Sequence, residues 1–67
     1  MPRISLEAVR VNAKMTQKEW AERLGVSNNT VVNWEKGNTE PSLSKLREMS
    51  KLSGVPMDFI FVPEKSN

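Results

Sequence analysis

Cysteine and histidine are both absent from this 67-residue chain, and aspartate occurs once, at Asp58. Without cysteine there is no disulfide and no thiolate metal site; without histidine there is no imidazole base or ligand. The usual acid, base and nucleophile sets of an active site are therefore missing. Neither an enzyme nor a metal nor a cofactor is expected. No apolar run approaches the ~20 residues needed to span a bilayer, and the opening Met1-Pro2-Arg3-Ile4-Ser5 lacks the apolar core of a signal peptide. A cytoplasmic protein with no membrane partner is expected. Strong charge of one sign is missing too: Lys and Arg number 10 against 8 Asp and Glu, a net charge of +2. Such a balance is compatible with nucleic acid but does not demand it.

A chain this short buries only about 60% of the surface its unfolded form exposes. One compact helical core must supply the stability of a single domain over residues 1–67. The stretch Thr16 to Glu35 organises it. Thr16 and Glu19 have the spacing of a capping box, which opens a helix there. Gly25 supplies the left-handed residue that ends that helix. Ser27 caps a second helix, Asn28 to Glu35, which Gly37 ends. Trp20, Ala21 and Leu24 share one face of the first helix, Val31 and Trp34 one face of the second. Val26 fills the corner between them. Asn28, Asn29, Val32 and Asn33 fall on the opposite side. The amides there have two readings: solvated surface near a cap, or a face that hydrogen-bonds flat polar groups such as base edges.

Around this pair the chain reads as helices on either side. Ser5 caps a helix to about Ala13, with Leu6, Val9 and Ala13 inward and Val11 off the stripe. Ser42 caps a helix from Leu43 to about Ser53, closed by Gly54, with Leu46, Met49, Ser50, Leu52 and Ser53 on or near its inner side. A short last helix is expected from Pro56 to Phe61, since proline suits a first turn. Residues 1–4 are expected to form a loose arm and residues 63–67 a polar tail.

Many offsets together resemble the helix-turn-helix domain of the phage Cro and repressor family, the XRE-like group. The residues that carry the likeness are Arg10, Thr16-Gln17, Ala21, Gly25-Val26-Ser27, Val31, Trp34-Glu35-Lys36-Gly37, Pro41, Leu43 and Leu46, covering roughly Leu6 to Ile60. The likeness implies an all-α, five-helix, lambda-repressor-like fold with helices two and three as the helix-turn-helix. It implies a structural pair between Arg10 and Glu35. It implies that Asn28, Asn29 and Asn33 read bases, with Thr30 or Val32 against a thymine methyl. An asparagine offers an acceptor and a donor side by side, matching N7 and N6 of adenine in the major groove. Gln17 is the family's recurrent phosphate residue, and Thr16, Lys14, Lys18, Lys36 and Asn38 lie near it or near the far end of the third helix. Where relatives often carry basic residues, this chain has Glu40 and Leu43. The expected charge footprint is thin and the salt dependence modest.

The implied function is a sequence-specific regulator of transcription, Cro-like because no oligomerisation domain follows, with double-stranded operator DNA as partner and a homodimer as the binding form. The apolar end, with Phe59, Phe61 and Val62, is the candidate dimer or partner surface. The rival reading is an antirepressor or co-repressor module that binds another regulator protein through that end; an antitoxin-like role is of the same kind.

Overall fold

The computed structural model describes residues 3–62. Its elements are β1 (Ile4–Ser5), α1 (Leu6–Asn12), α2 (Gln17–Leu24), α3 (Asn28–Lys36), α4 (Leu43–Ser53), a 3₁₀ turn (Met57–Phe59) and β2 (Ile60–Phe61).

The four helices start where their caps direct. Ser5, Thr16, Ser27 and Ser42 each hold an extended backbone and accept a hydrogen bond from the N–H three residues on. At α2 the box is reciprocal: the Glu19 carboxylate accepts from the Thr16 N–H at 2.9 Å, and Thr16 Oγ1 from the Glu19 N–H at 3.1 Å. The Thr16 backbone N–H, aided by its hydroxyl, holds the Glu19 carboxyl below its ordinary pKa. The box is thus intact above the ordinary carboxylate range and is lost as the pH falls through the lowered value. The last three helices end on glycines with φ of 71°, 81° and 78°.

The apolar seam lies inside as the spacing requires. Leu6, Val9, Trp20, Ala21, Leu24, Val31, Trp34, Met49, Val55 and Ile60 form one buried cluster, with Met15, Val26, Leu46 and Leu52 packed against it. The α2–α3 contact is the most extensive between elements. Val11 stands off the stripe and is exposed.

Two expectations at the chain's edges need correction. The fifth helix is absent. Only Met57–Phe59 turn, as a 3₁₀ segment, and Ile60–Phe61 are extended, paired in parallel with Ile4–Ser5. Among the described residues the fold is therefore mostly helical, four α-helices closed by a two-stranded ribbon in place of the expected fifth helix. Branched Ile60, aromatic Phe61 and branched Val62 favour extended backbone, and β1 supplies the hydrogen-bond partners a fifth helix would have found in itself. For the same reason the loose arm does not reach Ile4, whose side chain packs against the core. The rest of the expected arm, residues 1 and 2, and the polar tail, residues 63–67, lie outside the described residues.

Lys14, just after α1, has φ 60°, the one positive φ on a residue other than glycine among those described. A left-handed backbone costs an L side chain roughly 1–2 kcal/mol. Lys14→Gly is expected to raise the thermal midpoint by a few degrees. Gly25→Ala is expected to cost about 1–2 kcal/mol, and only through backbone strain, since a Cβ there meets nothing within 4 Å. Thermal and urea melts followed by circular dichroism check both signs.

Candidate nucleic-acid interface

The outer side of α3 is set by its inner side. Val31 and Trp34 are buried, and one helical step away Asn28 and Asn29 are exposed. Thr30, Val32 and Asn33 are half-buried, flanking that face rather than standing clear of it. The Ser27 and Thr30 hydroxyl oxygens lie 2.8 Å apart, so the Thr30 hydroxyl belongs to the cap. Asn38 Nδ2 donates to Asn33 Oδ1 at 3.3 Å, tying the following loop to the last amide of the row. A shallow hollow of about 210 Å³ lies instead at Arg23, Glu48, Lys51 and Leu52. No α3 residue lines it.

Arg10 and Glu35 meet as the likeness implied. Arg10 Nε donates to Glu35 Oε2 at 2.8 Å and Nη2 to Oε1 at 3.3 Å. Their side chains are only 12% and 8% exposed. Arg10 Nη1 also donates to the Met15 carbonyl at 3.0 Å, holding the α1–α2 connection. The hydrogen bond to Glu35, more than the charge, raises the Arg10 pKa further above its already high ordinary value. The guanidinium is therefore charged at any physiological pH.

The residues expected at phosphates are less uniform. Lys14, Lys18 and Lys36 are exposed, as is Asn38. The Thr16 hydroxyl is taken up by its cap. Gln17, the first residue of α2, is half-buried, and its Nε2 donates to Glu35 Oε1 at 3.1 Å. Residue spacing gave no sign of this bond, which joins side chains 18 positions apart. Spacing also missed Lys45, whose Nζ donates to the Leu24 carbonyl at 2.6 Å and so caps the C-terminus of α2 from α4. Of the expected partner surface, Phe61 is 42% exposed. Phe59 and Val62 are half-buried and packed on the core.

The helix-turn-helix family model matches residues 6–60. The chain belongs to that family. Among curated proteins it is 37% identical over 59 residues to an uncharacterised helix-turn-helix transcriptional regulator of Methanocaldococcus jannaschii, covering 88% of this chain and 89% of the relative. It is 36% identical over 55 residues to the transcriptional regulator ImmR of Bacillus subtilis, covering 82% of this chain and 43% of that one. It is 32% identical over 59 residues to the cryptic phage CTXphi transcriptional repressor RstR of Vibrio cholerae, covering 88% and 53%. The chain thus spans nearly all of the archaeal relative and about half of the other two. No solved structure matches the chain significantly.

The Arg10–Glu35 pair carries a stability prediction. Arg10→Met leaves the Glu35 carboxylate buried without a cation and is expected to cost about 3–5 kcal/mol. Adding Glu35→Leu should recover most of that loss, because an apolar pair needs no desolvation of charge. Urea denaturation of the two variants beside the parent measures both steps.

Proposed function

We propose that the chain is a sequence-specific, double-stranded-DNA-binding transcription regulator of the Cro-like kind, with α3 in the major groove. The observation that carries this reading is the group of amides on the outer side of α3 in a helix-turn-helix family member, with Asn28 and Asn29 exposed and Asn33 half-buried beside them. Asn28 and Asn29 open α3 and Asn33 follows one turn along, with Asn29 and Asn33 across the helix from buried Val31. The motif presents the N-terminal residues of its second helix to base edges. An amide is the side chain that matches adenine there, and Val32 or Thr30 meets a thymine methyl. Gln17, Lys14, Lys18, Lys36 and Asn38 take the backbone, with Thr16 placing the start of α2. The names of the relatives, a phage repressor among them, support regulation rather than catalysis. Work in the cytosol, at the nucleoid, belongs to the same reading. No helix among the described residues is long and apolar enough to cross a membrane.

A two-fold dimer is the binding form in this reading. The body extends 28 Å at most, whereas half-sites lie about 34 Å apart along one turn of DNA. One copy therefore reads one half-site. The exposed aromatic at Phe61 supplies the apolar surface for a second copy, beside Phe59 and Val62. The same feature favours the second reading, a module that binds another regulator protein through this end. In that case partner binding survives Asn29→Ala and Asn33→Ala but not Phe61→Asp.

Two experiments test the DNA reading. Asn29→Ala and Asn33→Ala are each expected to lose about 1–3 kcal/mol of discrimination between the selected duplex and random DNA for each bidentate contact removed. Mobility-shift titrations with a duplex selected from a random pool measure this. Two variants with undiminished discrimination would sink the base-reading assignment. Phe61→Asp is expected to shift the sedimentation profile toward monomer and to weaken operator binding while leaving the helical signal intact.

A further inference from the structure

The structure assigns Glu35 a second role, as a positioning residue for the Gln17 amide. This rests on the proposed DNA reading and adds to it a residue remote from the bases. The Glu35 carboxylate is nearly enclosed and takes hydrogen bonds from two directions. Arg10 of α1 supplies two, at 2.8 and 3.3 Å, and Gln17 Nε2 supplies the third, at 3.1 Å. A free glutamine side chain has rotamer freedom worth roughly 1.5–2 kcal/mol. Here one of its two amide hydrogens is committed to a fixed acceptor. The other stays on the half-buried head of a side chain at the first position of α2, where a helix start meets DNA backbone. Glu35 thus removes much of the ordering cost before a phosphate arrives.

Arg10 has a part in the same arrangement. An unpaired carboxylate beside a phosphate would repel it. The guanidinium cancels that charge while leaving Oε1 able to accept from Gln17. The three side chains come from α1, α2 and α3, so the grip on the backbone is set by the same bonds that join the helices.

The test is ethylation interference on the duplex that the wild-type protein selects from a random pool. Gln17→Ala is expected to bind it about three- to tenfold more weakly and to lose interference at one phosphate in each half-site. Glu35→Leu combined with Arg10→Met keeps an apolar pair in place of the charged one. This variant is expected to lose the same phosphate and no other, with base selectivity unchanged. Glu35→Gln, which keeps an oxygen for the amide, is expected to restore it. Adding Gln17→Ala to the apolar double variant should weaken binding no further. The assignment is overturned if the folded double variant keeps that phosphate, if interference falls evenly at every phosphate, or if Gln17→Ala leaves the pattern intact. A wild-type protein that selects no duplex at all overturns the DNA reading itself, and this inference with it.

Discussion

The carboxylate of Glu35 is where three helices are fastened together. Arg10 reaches it from α1 and Gln17 from α2, while Glu35 itself sits near the end of α3. A domain this small has few buried groups with which to fix helix angles, and dispersion between apolar faces is not directional. Hydrogen bonds to a buried charge are directional. They tie α1 and α2 to the end of α3 at fixed points, while the buried seam through Val31 and Trp34 sets which way the amide side of α3 faces. The pair is weak as a source of net stability but strong as a constraint, since either member alone would be stranded.

The helices were legible because their signals are local. Each N-cap serine or threonine sits beside the turn it satisfies, and the glycines at 25, 37 and 54 sit where a left-handed residue is needed. The buried seam was legible from spacing alone, and from it the outward direction of Asn28 and Asn29. The ribbon was not. Two-residue strands carry no periodicity, and β2 is stable as a strand only because β1 lies next to it, a fact held at the other end of the chain. The helical reading of Pro56 to Phe61 was a local inference defeated by a non-local partner. Family likeness announced Arg10 with Glu35, but nothing in spacing announced Gln17 with Glu35 or Lys45 with the Leu24 carbonyl. Long flexible side chains choose partners in three dimensions.

The electrostatic picture is restrained. A net charge of +2 supplies little long-range attraction, and Glu40, exposed in the loop beyond α3, adds a negative charge there. In the proposed reading, affinity rests on shape, on amides and on a second copy more than on counterion release. A fixed Gln17 matters more under those conditions than it would on a polybasic surface.

The parallel ribbon also governs how the molecule responds to force. The chain enters at the lower end of β1 and leaves at the upper end of β2, so tension applied through its two ends pulls the strands past each other along their length. The bonds between them then bear load together rather than opening one at a time. The small ribbon is in this sense a mechanical clasp around the helices, and it must slip before any of them is stretched.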